Sequence, residues 1–248
     1  NALLALGLAD PQQRVALPLP LHHIYPLVVG LFTPLAAGAS VLFPASLSGP
    51  GIVNVLRNGN ATVLLGVPRL YVALAEALHG VATAKGSFFG AALAAALDGL
   101  RRLPRGISRD VGRLIFGALR RRLAPKLWLM VSGGARLETD TWRTLETLGW
   151  TVLTGYGLTE AAPLVTFNPP GAERPGTEGR ALEGVELRIE PAADSRFGEI
   201  LARGPTIFSG YRNRPTETAA AFTPEGWFRT GDLGFVDPDG YLTVVGRT

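Results

Sequence analysis

The segment TVLTGYGLTEAAP, Thr151 to Pro163, decides how the rest of the chain is read. Its first four residues form a β-branched, apolar run of the kind found in short buried strands. The run passes straight into Gly155-Tyr156-Gly157, then Thr159 and Glu160. A strand end needs one glycine to turn; it does not need a ring between two glycines with a hydroxyl and a carboxylate directly after. Two readings stand at this point: a strand end with a helix cap at Thr159, or a loop built to meet a ligand.

Working outward, the chain from Leu17 to about Trp150 alternates apolar strands with helical stretches. Strands are expected at Ser40–Phe43, Thr62–Leu65 and Leu127–Val131, and helices at Arg69–Leu78 and Glu138–Leu148. Such alternation predicts an α/β fold with a mostly parallel sheet flanked by helices. After Asn168-Pro169-Pro170-Gly171 short strands follow one another: Val185–Ile189, Glu199–Ala202, Leu233–Val236 and Tyr241–Val245. These predict a small antiparallel, β-barrel-like subdomain at 176–248 behind an α/β subdomain at 1–175. Asp237-Pro238-Asp239-Gly240 lacks the further ligands of a calcium loop and reads as a β-turn.

Composition narrows the chemistry. The 248 residues are 47% hydrophobic, enough for a sizeable core. No cysteine occurs, which excludes disulfides, zinc–cysteine sites and thiol nucleophiles and fits a cytoplasmic protein. His22 and His23 are adjacent and His79 has no partner at ligand spacing, so no histidine metal site is expected. Residues 15–56 carry no Asp, Glu, Lys or Arg, but prolines at 18, 20, 26, 34, 44 and 50 break any span of the about 20 residues a membrane helix needs. The start at Asn1 has no basic lead, which argues against a signal peptide. With no initiating methionine and no closing element after Thr248, the chain is expected to be a piece of something longer.

The net charge of +4 is unevenly placed. Lys85 to Lys126 holds ten Lys/Arg against two acids, while the remainder holds fourteen against eighteen. At 100° per residue a single helix over Arg109–Leu123 places Val111, Leu114, Ile115, Ala118 and Leu119 on one face and Arg109, Arg113 and Arg120 on the opposite one. That arginine face is either a solvated helix surface or a surface drawn to anionic lipid or phosphate.

No phosphate-loop glycine pattern accompanies Lys85 or Lys126, GYGLTE lacks the third glycine of a dinucleotide fingerprint, and Met130 breaks a nucleophile elbow around Ser132. The loop after Thr154 has positive features instead. Ligands of open α/β sheets sit at the carboxyl ends of strands. Flanking glycines admit a flat ring or a phosphate close to the backbone, and Tyr156 can stack on a base. The Thr159 hydroxyl can bond a phosphate oxygen, and Glu160 can hold magnesium. Asp232, between Gly231 and Leu233-Gly234, suits a bidentate grip on two ribose hydroxyls or a simple Asx turn.

In order along the chain, GYGLTE, GEILARGPTIFSGY, GWFRTGDLG and GYLTVVGR closely resemble the adenylate-forming superfamily, and LPLPLHHIYPL and VSGGARL are similar to its acyl-pocket and adenine-loop segments. The segment between GVPRLY and LMVSGGA looks most like long-chain fatty acid–CoA ligases. The resemblance implies that Tyr156 stacks on adenine beside Gly133, Gly134, Ala135 and Gly157, that Thr159 meets the α-phosphate, and that Glu160 reaches the Mg2+ of ATP. It implies a ribose grip by Asp232 with Arg247, and His23 and Tyr25 beside the acyl carboxylate, with packing under the sheet an equal reading for Tyr25. Thr159 and Glu160 thus become the catalytic candidates, with fatty acid, ATP and coenzyme A as substrates and no nucleic acid partner. Other adenylate-forming ligases and a non-catalytic nucleotide- or lipid-binding module remain as alternatives.

Two departures stand out: Arg136 where the superfamily has proline, and GRALEG in place of GRPLPG. The resemblance also implies a phosphate loop before Asn1 and a lysine-bearing domain after Thr248, so the isolated polypeptide is expected not to turn over. The basic segment adds an expectation of peripheral association with anionic membranes.

Overall fold

The computed structural model describes residues 10–82, 88–191 and 197–248; the apolar start at residues 1–9 and Lys85 lie outside them, as does the side chain of His79. The first half runs β1 (Arg14–Ala16), a π-helical turn (Pro26–Phe32) leading into α1 (Thr33–Ala36), β2 (Ser40–Leu42), α2 (Gly49–Asn58), β3 (Val63–Gly66) and α3 (Pro68–Ala82). It continues through α4 (Phe88–Leu100), α5 (Arg105–Ile115), α6 (Gly117–Leu123), β4 (Leu129–Ser132), α7 (Thr139–Thr147) and β5 (Thr151–Tyr156). Then come a 3-10 turn (Thr159–Ala161), β6 (Thr166–Phe167), β7 (Gly179–Ala181), β8 (Glu186–Pro191), β9 (Gly198–Arg203), α8 (Pro215–Ala221), β10 (Phe228–Val236) and β11 (Tyr241–Arg247).

The strands form one sheet in the order β2-β1-β3-β4-β5-β6-β7-β11-β10-β9-β8. β2 through β5 pair in parallel, as the alternating pattern predicts; every pairing beyond β5 is antiparallel. The quoted segment is the seam. Thr151 to Thr154 run parallel beside Leu129 to Ser132, while Gly155 and Tyr156 pair antiparallel with Phe167 and Thr166. One six-residue strand therefore serves both halves.

β3 and β4 are buried along their whole length, because successive side chains enter cores on opposite faces. Leu64, Met130 and Val152 pack with Tyr71, Phe116, Trp142 and Leu145 on the helix-covered face. Val63, Leu65, Leu129, Val131 and Leu153 pack with Leu17, Val29 and Phe167 on the other. Tyr71 locks the first core, its hydroxyl lying 2.9 Å from both the Leu64 and Val131 carbonyl oxygens.

The expected helix over 109–123 is corrected. It breaks at Phe116 into α5 and α6, and Leu114 and Ile115 are 84% and 46% exposed whereas Ser108, Gly112 and Phe116 are buried. The cause is a close approach: a Cβ on Gly112 would lie 1.7 Å from the Thr147 carbonyl oxygen, so α5 turns its small residues toward the last turn of α7. Arg113 and Arg120 do not stand free on the expected basic face. Arg113 Nε donates to the Gly149 carbonyl at 3.2 Å, and Arg120 donates to the Leu127 carbonyl at 3.2 Å while lying over the Trp150 ring. Each is tied to a main-chain carbonyl, and burial together with Arg113 lowers the Arg120 pKa.

The Asp237–Gly240 segment is a turn: Asp237 Oδ1 accepts from the amides of Asp239 and Tyr241, and Arg174 pairs with both aspartates. Among the described residues no helix is long and apolar enough to cross a membrane.

Candidate active site

β5 delivers Tyr156 to its carboxyl end, and the chain then doubles back. Gly157 is required there, since a Cβ would lie 1.7 Å from the Pro163 carbonyl oxygen. The turned loop is fastened from the antiparallel half. The Phe208 amide donates to the Glu160 carbonyl at 2.8 Å, and the Tyr211 hydroxyl donates to Glu160 Oε1 at 2.9 Å. Burial and the neighbouring Glu160 charge raise the Tyr211 pKa, which keeps that donor protonated.

Tyr156 is buried, and its hydroxyl donates to Asp232 Oδ2 at 2.7 Å. The other Asp232 oxygen, Oδ1, lies 3.0 Å from Arg247 Nε, its cross-strand neighbour on β11. Burial raises the Tyr156 phenol pKa far above its usual value, and the adjoining Asp232 carboxylate adds to the effect. The aromatic of the first quoted motif and the aspartate of the third, 76 residues apart, are thus in direct contact.

Two cavities meet at this loop. A polar one of about 510 Å³ has Ala135, Arg136, Tyr156, Glu178, Asp232 and Arg247 on its walls. An apolar one of about 450 Å³ is walled by Leu19, Ile24, Pro26, Val67 and Leu164, with His23 and Tyr25. Gly134, Gly155, Gly157, Leu158 and Thr159 line both. Glu160 faces the polar cavity, and Gly133 lies on the apolar side, where its missing Cβ makes room for the Tyr25 ring. Every nucleotide- or acid-site residue that the resemblance implied therefore borders one cavity or the other, while Arg109, Arg113 and Arg120 border neither. For Tyr25 the packing role is real as well: its hydroxyl donates to the Val131 carbonyl at 3.0 Å, away from any ligand, and burial raises its pKa.

Sequence reasoning missed Tyr211 and Glu178 and noted Arg136 only as a departure. Tyr211 lies inside the quoted GEILARGPTIFSGY motif, and nothing local shows that it reaches Glu160. Glu178 is buried, its Oε2 accepts from the Val244 amide at 2.9 Å, and burial pushes its carboxyl up to about 7.

Residues 2–212 match the model of the family described as AMP-binding enzyme. The chain belongs to that family. Among curated relatives, this AMP-binding enzyme chain is 32% identical over 252 residues to the long-chain-fatty-acid–CoA ligase ACSBG1 of Mus musculus, covering 96% of the chain and 35% of the relative. It is 34% identical over 245 residues to the long-chain-fatty-acid–CoA ligase FadD15 of Mycobacterium bovis (95% and 39% covered), and 33% identical over 242 residues to a malonate–CoA ligase of Arabidopsis thaliana (92% and 35%). A malonyl-CoA ligase solved with methylmalonyl-CoA and AMP superposes with a TM-score of 0.72 at 34% identity, covering 100% of the chain and 46% of that structure. ATP-bound MatB from Rhodopseudomonas palustris gives 0.73 at 29% identity, covering 99% and 42%. The chain thus spans less than half the length of these relatives, and the CoA ligases named among them differ in their acid.

Magnesium keeps most of its water and phosphate ligands and asks a protein for one or two carboxylates. Glu160, with Oε1 fixed by Tyr211, fits that demand. Among the described residues no group of three or more His, Cys, Asp or Glu side chains is placed to hold a metal unaided.

Proposed function

We propose that this chain carries the acid- and AMP-binding portion of a ligase that activates a long-chain fatty acid with ATP and transfers it to coenzyme A. The observation that supports this reading is the pair of cavities, one apolar and one polar, sharing the Thr159 wall. An acyl chain in the first places its carboxylate where a nucleotide in the second places its α-phosphate. Residues 1–175 form the acid and adenine side of that portion and 176–248 the ribose side.

A free carboxylate is a poor acyl donor because oxide would have to leave. In the proposed reaction a carboxylate oxygen attacks the α-phosphorus of ATP, the bond to the bridging oxygen breaks, and pyrophosphate departs. The coenzyme A thiol, losing its proton, then attacks the acyl carbon, and AMP leaves. Magnesium, held at Glu160, supplies charge neutralisation on the triphosphate. The chain's own contribution is positioning. Tyr156 and the Gly134-Ala135 loop flank the base, Asp232 and Arg247 hold the ribose, Thr159 meets the α-phosphate, and His23 lies beside the acid.

The fatty-acid assignment rests on the apolar cavity. Among the described residues no Lys or Arg borders it. A malonate would bury a second anionic group there with only His23 as a cationic partner in reach, at a cost of several kcal/mol. Calorimetric titration with non-hydrolysable palmitoyl- and malonyl-adenylate mimics tests both levels. Tighter binding of the palmitoyl compound is expected; tighter malonyl binding defeats the fatty-acid assignment, and no heat with either defeats the adenylate site.

A further inference from the structure

Glu178 stands in the turn that leads into β7, clipped twice to β11: its amide donates to the Leu242 carbonyl at 2.8 Å and its Oε2 accepts from the Val244 amide at 2.9 Å. The side chain lines the polar cavity although the residue is only 6% exposed. The carboxylate also takes a hydrogen bond from its own backbone amide, and no bond from another side chain is made to it among the described residues. Arg136 acts on it electrostatically from the loop after β4, while two of its five donors go to the Val244 and Gly176 carbonyls, both at 3.3 Å. A side chain needed only to accept from the Val244 amide could be a neutral amide. A carboxylate this far buried on a cavity wall is costly when ionised unless further donors meet it there.

Position suggests what meets it. Val244 lies three residues before Arg247 on the same strand, roughly 10 Å at a strand's rise, and Arg247 holds Asp232. That separation matches the span of a nucleoside from its ribose hydroxyls to the far edge of its base. We propose that Glu178 reads the base of the bound nucleotide, its carboxylate using a remaining acceptor site for the exocyclic amino group of adenine. This rests on the AMP reading above and adds a specificity-determining residue to it.

Hypoxanthine carries a carbonyl oxygen where adenine carries that amino group. An ionised Glu178 repels the carbonyl; a protonated one donates to it. The carboxyl is held up at about 7 by burial, with the Val244 amide, then Arg136, then its own backbone amide pulling it down. The other charged or titratable groups lining the cavity are Asp232, Arg247, Glu160 and Tyr156. Preference for adenine is therefore greatest above pH 7 and shrinks below it.

The test is calorimetric affinity for AMP and for inosine monophosphate at pH 8.5 and 5.5, using wild type, Glu178→Gln and Arg136→Ala, each first checked for folding by circular dichroism. The two nucleotides share one phosphate, so its titration cancels in their ratio. Wild type is expected to favour AMP by at least about tenfold at pH 8.5 and less at pH 5.5, the scale of one hydrogen bond to a charged group. Glu178→Gln, able to donate or accept, is expected to lose the preference at both pH values, and Arg136→Ala to move the crossover to higher pH. Equal wild-type binding of the two at pH 8.5, or a Gln variant with the wild-type ratio, overturns the proposal while leaving the AMP site standing. Binding of neither nucleotide by folded wild type overturns both.

Discussion

Replacing Asp232 by alanine is expected to weaken binding of an acyl-adenylate mimic by roughly 10²-fold. A carboxylate offers about four acceptor sites. Tyr156 takes one at 2.7 Å and Arg247 another at 3.0 Å, which leaves one free site on each oxygen for two adjacent ribose hydroxyls. Hydrogen bonds to a charged group contribute about 1.5–3 kcal/mol each. The Asp232 side chain keeps 15% exposure, so the low end applies and the pair is worth about 3 kcal/mol. The assay is a double-mutant cycle by calorimetry, with wild type and Asp232→Ala each titrated with the mimic and with its 2′,3′-dideoxy form. Once the hydroxyls are gone, the alanine change should cost little further. If the dideoxy compound loses as much affinity as the parent on going to alanine, Asp232 acts through the packing of Tyr156 and the ribose assignment fails.

Arg105 pairs with Glu146 at 2.6 Å and Glu173 at 3.1 Å, both carboxylates nearly sealed, so Arg105→Met should cost about 3 kcal/mol in urea unfolding, the lower end for a broken buried pair since the arginine is a third exposed. For Glu178 the folded carboxyl stays protonated up to about 7 whereas the unfolded one releases its proton near 4.5, so ionisation costs stability at higher pH. Glu178→Gln should therefore stabilise the fold by up to about 3 kcal/mol at pH 8.5, a gain that fades as pH falls from 7 toward 4.5, measured by thermal unfolding across that range. The corrected face of α5 predicts that Leu114→Gln changes stability by less than about 0.5 kcal/mol while Phe116→Ala costs about 3–5 kcal/mol, and the reverse order would restore the face read from periodicity.

Of the parallel strands, β3 and β4 were legible because they are buried on both faces, whereas β1, three residues beginning at Arg14, was not read as a strand. The ligand loop was legible because its glycines, ring, hydroxyl and acid are consecutive. What failed was decided by contacts across the chain. Periodicity assigned Leu114 inward, but the approach of Gly112 to Thr147, 35 residues away, selects a different face, and no property of residues 109–123 alone encodes that. Arg113 and Arg120 read as a solvated face or a surface drawn to anions because their partners are main-chain carbonyls at Gly149 and Leu127, which no side-chain pattern announces. Glu178 gave no sign either. A glutamate in a turn is ordinarily exposed, and its burial depends on β11 closing over it 66 residues later.

The charges on the polar cavity carry the proposed reading one step further. Its wall holds three carboxyl groups, Glu160, Glu178 and Asp232, against two guanidinium groups, Arg136 and Arg247. With all five ionised the wall is net negative, an unfavourable reception for a triphosphate, since like charges in a partly desolvated cavity repel more strongly than in water. Two features lower that barrier without altering the fold. Glu178 holds its proton to about 7, which brings the count to balance near neutral pH. A divalent cation travelling with the triphosphate adds positive charge at Glu160, whose Oε1 is already oriented by Tyr211. Asp232 is thus left as the one carboxylate whose charge is met wholly inside the protein, by Arg247 and the Tyr156 hydroxyl, and that suits a group meant to hold neutral hydroxyls beside anionic phosphates.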